Sequence, residues 1–63
     1  MNMNKVSIDD VIDVIKANPF DNIYQIAHKS GIGLSAIYKR IYEDERNFDG
    51  LTDIKERIRK GEL

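Results

Sequence analysis

The chain has 63 residues, ten basic and eleven acidic, for a net charge of −1, and no cysteine. That composition excludes a disulfide scaffold, a thiolate metal site and a strongly basic nucleic-acid coat. No apolar run nears the ~18 residues of a membrane span, and the N-terminus lacks a signal-peptide apolar core, so a cytoplasmic, membrane-free protein is expected.

One domain, residues 1–63, is expected, with ten isoleucines supplying an aliphatic core. A chain this short buries only about 60% of its unfolded surface, so a second copy or a partner is an expected source of stability.

Residues 1–6 are expected to fray. Ser7 reads as a helix N-cap, with Asp10 three residues on completing an acidic capping box and Val6 and Val11 at the staple positions. Ile8, Val11, Ile12 and Ile15 recur at i, i+3, i+4 and i+7, the stripe of an amphipathic helix. Asp9, Asp10 and Asp13 suit its N-terminal dipole. Pro19 disfavours helical backbone at Asn18 and ends this helix near Ala17. Its acidic outer face reads as solvated surface.

Asp21 or Asn22 caps the next helix, Gln25 standing at the right distance to answer Asn22. Phe20, Ile23, Ile26 and Ala27 form its expected core face. His28, the one histidine in the chain, is expected to face solvent and not to bind a metal. Gly31 falls where this helix must end with φ > 0, a conformation nearly free for glycine and costly for most residues. A further helix starts at Leu34 or Ser35 and runs to about Asp44, with Ile37 and Ile41 inward. Ala27 sits where the two helices must pass closely, and Ile26 and Ile32 flank the turn. The stretch 23–42 therefore reads as a helix-turn-helix unit.

On the outer side of the second helix fall Leu34, Ser35, Tyr38, Lys39 and Tyr42, spaced as residues facing a groove. Residues 29–42 hold Lys29, Lys39 and Arg40 and no acid, giving +3, whereas residues 43–50 carry −3. A local basic stretch matters more for phosphate contact than the total charge. Plainer readings exist: Ser35 as an N-cap only, the two tyrosines as rim residues, Lys39 and Arg40 paired with Glu43 and Asp44 at i+4.

The run from Gly31 to Arg40, GIGLSAIYKR, with Ile26 and Ala27 before it, resembles the DNA-binding tail of Hin-type invertases and resolvases, and more loosely helix-turn-helix repressors. It spans about a third of the chain. The resemblance implies that Ser35 and Lys39 read base edges and that Tyr38 lies near the backbone. The arginine-bearing arm of that family has no counterpart in MNMNKV, and Arg40 stands where many helix-turn-helix proteins keep an apolar residue, a packing role Ile41 takes over. No recombinase catalytic domain accompanies it, so it implies DNA binding and not strand exchange.

ERNFDG (45–50) reads as a loop whose Phe48 folds onto the core. Thr52 or Asp49 caps a last helix, with Leu51, Ile54 and Ile58 as a narrow apolar stripe and Gly61 at its end. Its other face, Lys55, Arg57, Arg59 and Lys60, reads as charge-mixed surface or as a phosphate contact. No phosphate-binding glycine loop, metal-ligand cluster or catalytic triad is legible, and no cofactor or enzymatic activity is expected.

The expected architecture is all-α: a three-helix, homeodomain-like helix-turn-helix domain with an additional short C-terminal helix. The expected function is sequence-specific binding of duplex DNA by a small regulator, repressor-like, of a mobile element. Ser35 and Lys39 would reach bases, and Tyr38, Tyr42, Lys29 and Arg40 would hold phosphates. A symmetric homodimer through Leu51, Ile54 and Ile58 would double the readout. The rival expectation is a protein-binding adaptor or inhibitor on the same scaffold, and a third is the DNA-binding half of a larger complex docked through the last helix.

Overall fold

The computed structural model describes residues 6–63 and places them, wherever they are regular, in four α-helices. Residues 1–5, most of the segment expected to fray, lie outside this range. The first helix, α1 (Ile8–Ala17), opens on a complete capping box: the Ser7 hydroxyl accepts from the Asp10 N–H at 3.2 Å, and the Asp10 carboxylate accepts from the Ser7 N–H at 3.0 Å. Asn18 closes the helix, its side-chain amide donating to the Val14 carbonyl at 2.8 Å. Val11, Ile12 and Ile15 are buried, and Val6 and Ile8 pack beside them.

The second helix, α2 (Ile23–Ser30), repeats the device with Asn22 and Gln25, whose side chains each accept the other's backbone N–H at 2.9 and 2.8 Å. Of the two candidate caps, Asn22 holds the position. The expected core face loses one member: Phe20 is 97% exposed. It precedes the cap, in a turn closed by the Asp21 N–H on the Asn18 carbonyl at 3.1 Å, so helical periodicity does not govern where it faces.

Gly31 ends α2 at φ 76°, and Ile32, only 4% exposed, drops into the core before α3 (Leu34–Glu43) begins. The N-cap of α3 is Gly33, with no side-chain capping bond, so Ser35 is not a cap. A Cβ on Gly31 would meet nothing within 4 Å; the requirement for glycine is purely conformational. Gly31→Val is expected to destabilise the domain by roughly 1–3 kcal/mol, the cost of forcing a β-branched residue to positive φ. An unchanged chemical-denaturation midpoint would place the turn elsewhere.

The 44–50 segment turns through Asn47 at φ 56° and Gly50 at φ 100° into α4 (Leu51–Arg59). Neither Thr52 nor Asp49 caps α4 with its side chain. The cap is Gly50, and Asp49 instead gives its N–H to the Asp53 carboxylate at 2.9 Å. Past the helix, Glu62 N–H bonds the Arg57 carbonyl and Gly61 N–H the Ile58 carbonyl, with Gly61 at φ 79°, a Schellman closure.

The core draws on every helix: Val11, Ile12 and Ile15 from α1, Ile26 from α2, Ile37 and Ile41 from α3, Ile54 from α4, joined by Ile32 and Phe48 from the connections. The helix α1 packs against each of the others, and α2 against α3. The stripe expected to form a dimer is thereby taken: Ile54 is 0% exposed, and Leu51 and Ile58 pack against the same cluster. A narrow apolar stripe has the same pattern whichever chain covers it, and here α1 of the same chain does. Among the described residues no helix is long and apolar enough to cross a membrane.

A polar and aromatic clasp fixes the approach to α4. Phe48, 4% exposed, is met by two guanidinium groups, Arg46 and Arg57, each 4.9 Å from the ring centroid. Arg46 Nε donates to Asp44 at 2.7 Å, and its Nη2 reaches Asp9 on α1 at 3.4 Å. The hydrogen bond from the Arg46 side chain holds the Asp44 carboxyl below the usual aspartate range. Arg57 adds a bond to the Arg46 carbonyl at 3.2 Å and an ion pair with Asp53 at 3.1 Å.

Candidate nucleic-acid interface

With Ile37 and Ile41 fully buried, the 100° advance per residue turns Ser35, Tyr38, Lys39 and Tyr42 to the solvent side of α3. All four are exposed, Tyr38 at 38% and Tyr42 at 61%, while Leu34 is half-buried at the edge of the face. Tyr38 and Tyr42 stack at 6.2 Å between centroids and 14° between planes. The Tyr42 hydroxyl lies where a Cβ on Gly50 would sit 3.4 Å from it, so the strip runs from the middle of α3 to the start of α4. Both rings are open to solvent, Tyr42 the more so.

The cations divide. Among the described residues Lys39 has neither an ion pair nor a side-chain hydrogen bond, and neither does the Ser35 hydroxyl. Lys29 is engaged: its ammonium binds Asp21 at 2.5 Å and the Asn18 side-chain oxygen at 2.8 Å, tying the last turn of α2 to the α1–α2 connection. Arg40 is half-buried and its Nε donates to the Val6 carbonyl. Its guanidinium holds the start of the described chain against α3. Neither i+4 pair, Lys39 with Glu43 or Arg40 with Asp44, is formed among the described residues; Asp44 is held instead by Arg46.

The structure thus brings Ser35, Tyr38, Lys39 and Tyr42 onto one face with Leu34 at its edge, and sets Lys29 and Arg40 to bracing the chain itself. On α2, Tyr24 is 69% exposed, and with His28, Gln25, Asn22 and Lys29 it borders a shallow cleft of about 430 Å³. Tyr24 was not singled out by the sequence, where one tyrosine on a polar helix face carries no distinguishing pattern. Among the described residues no group of three or more His, Asp or Glu stands together to hold a metal ion. No protein-family model matches the chain, nor does any curated relative or solved structure.

Proposed function

We propose that the chain is a small sequence-specific duplex-DNA-binding regulator, built as a three-helix helix-turn-helix domain with α4 added, and that α3 enters the major groove. One observation carries the reading. The three-residue connection through Gly31 holds α3 with Ile37 and Ile41 locked inward, which leaves Ser35 and Lys39 outward and, among the described residues, unengaged beside a stacked tyrosine pair. A hydroxyl and an ammonium one helical turn apart are donors of the kind that read guanine and adenine edges. The tyrosine hydroxyls suit phosphate oxygens.

Because Lys29 and Arg40 are committed within the chain, phosphate contact per copy is small. The salt slope should be shallow, about one released counterion per copy where Lys39 meets a phosphate, rather than the larger number that three free cations and the tail of α4 would give.

Lys39→Ala tests this. Lys39 is exposed and without partners among the described residues, so its removal should leave thermal stability within about 0.5 kcal/mol. On a duplex selected from a random pool, affinity should fall by about 1–3 kcal/mol with preference relaxed at one base pair. An even loss across sequences, with the salt slope reduced by about one, would make Lys39 a phosphate contact. Ser35→Ala is an equally clean probe, since Gly33 and not Ser35 caps α3. If Lys39→Ala binds DNA as the parent does, in affinity and in salt slope, α3 is not the reading helix. The tyrosine strip would then favour the rival reading, a protein-binding adaptor: stacked, exposed aromatics are common anchors of protein interfaces.

A further inference from the structure

The side chain least explained by the DNA-binding reading is Phe20. At 97% it is the most exposed large apolar side chain among the described residues. The backbone that carries it is nevertheless held on several sides. Asp21 N–H closes the turn on the Asn18 carbonyl, and Pro19 fixes φ just before the phenylalanine. Lys29 of α2 binds both Asn18 and Asp21, and Lys55 of α4 donates to the Asp21 carbonyl. A contact made by the ring need not order the loop first, which lowers its cost.

Beside Phe20 opens a groove of about 460 Å³ between this loop and α4, floored by Ile15 and walled by Pro19, Thr52 and Ile58. That volume lies within the ~300–1,000 Å³ of ligand-sized sites. It suits the side chains of a short segment, not the face of a folded domain, whose interfaces bury ~1,200–2,000 Å². The rim is not neutral. Lys55 meets the Asp21 carbonyl, and among the described residues no carboxylate pairs with it. Arg59 and Lys60 share one acid: Arg59 pairs with Glu56, and Lys60 Nζ stands 3.9 Å from the same carboxylate. Three cations against one carboxylate leave this rim at +2, on a chain whose net charge is −1. On the wall, the Thr52 hydroxyl has no partner among the described residues.

We infer that this groove docks a short acidic segment of another protein. One large apolar side chain of that segment lies between Phe20 and Ile58, and carboxylates flanking it meet Lys55 and the Arg59–Lys60 pair. Charge and apolarity together exclude the simpler occupants. A DNA phosphate would use the cations and leave the apolar floor unfilled. A second copy of the chain would meet Lys55 with the same charge, and a neutral segment would cover its ammonium without a counter-charge. An acidic segment with an apolar anchor answers both, and the Thr52 hydroxyl offers its backbone a hydrogen bond. No residue of α3 lines the groove, so the Ser35–Lys39 face stays open while the segment is bound. The docking rests on the loop and the groove alone and stands apart from the DNA-binding reading.

Selection from a display library of random dodecapeptides on the whole chain tests it. Recovered peptides should carry a large aliphatic or aromatic residue flanked by Asp or Glu. Made with a fluorophore, the commonest of them should bind the parent with a Kd below about 100 μM, and more weakly as salt rises. Phe20→Ala should melt like the parent and weaken this peptide by about 10-fold or more. Lys55→Gln, which can still donate to the Asp21 carbonyl, should also melt like the parent and weaken it by roughly 2–5-fold. Recovery of no peptide, or of a set without acidic residues, overturns the inference. So does a peptide that Phe20→Ala binds as the parent does, the result expected of a segment docked on the tyrosine pair. Displacement of the peptide by duplex DNA of random sequence overturns it too, since the rim would then be a phosphate contact. Self-association that the peptide reverses would give the groove to a second copy instead. A parent that binds the peptide and no duplex overturns the DNA reading and leaves this docking site standing.

Discussion

Ile54→Glu is expected to leave the chain unfolded at room temperature, read as loss of the helical far-UV signal and collapse of amide-proton dispersion. Ile54 is 0% exposed and is the buried residue through which α4 meets α1. Replacing it removes a full aliphatic burial and sets an ionisable group in a site with no polar partner, a cost of several kcal/mol. A domain of this length has a total stability of roughly 3–9 kcal/mol at typical values per residue, so a loss of that size consumes most or all of it. Ile54→Ala, which leaves a cavity without a charge, should cost about 2–5 kcal/mol and remain measurable by urea titration. An Ile54→Glu chain that folds with the parent's melting temperature would mean that the Leu51, Ile54, Ile58 stripe faces outward, where a second chain could cover it.

The sequence was most legible where the decisive interactions are local. Ser7 and Asp10, and Asn22 and Gln25, are three residues apart, and each pair forms both of its capping bonds. Gly31 was readable because one conformation was wanted at one place. The start of α4 was not readable in the same way. Asp49, Thr52 and Asp53 offer three oxygen-bearing side chains within five residues, and the positive φ of Gly50 sets the backbone that enters the helix. Phe20 and Ile54 failed for opposite reasons. Phe20 was counted with a helix it precedes, and Ile54 lies on a stripe whose covering surface is forty residues away in the chain.

The candidate site divides along the same line. Ser35, Tyr38, Lys39 and Tyr42 share a face by helical periodicity relative to Ile37 and Ile41, which depends on nothing outside α3. The employment of Lys29 and Arg40 depends on residues eight and 34 positions away, Asp21 and Val6. A charge count of the 29–42 stretch sees three cations, and the fold leaves Lys39 as the one on the outer face of α3. The acid-free character of that stretch thus serves the bracing of the α1–α2 loop and of the chain's start as much as it serves a ligand.

Phe48→Ala should cost about 3–5 kcal/mol, whereas Phe20→Ala should change monomer stability by less than about 0.5 kcal/mol. The two phenylalanines of the chain lie at opposite limits of exposure, 4% and 97%. Truncating Phe48 opens a cavity in the core, and it also removes the ring that Arg46 and Arg57 face from 4.9 Å each. Phe48→Leu should restore much of the packing and none of the cation–π attraction, worth about 0.5–1 kcal/mol for each partly exposed arginine, and so fall between the two. Arg46 also carries the link from Asp44 to Asp9, so Phe48→Ala and Arg46→Ala should be non-additive in a double-mutant cycle. Equal destabilisation by Phe48→Ala and Phe20→Ala in urea would show that Phe48 is not the buried ring of the pair, and the placement of the 44–50 segment over the core would fail with it.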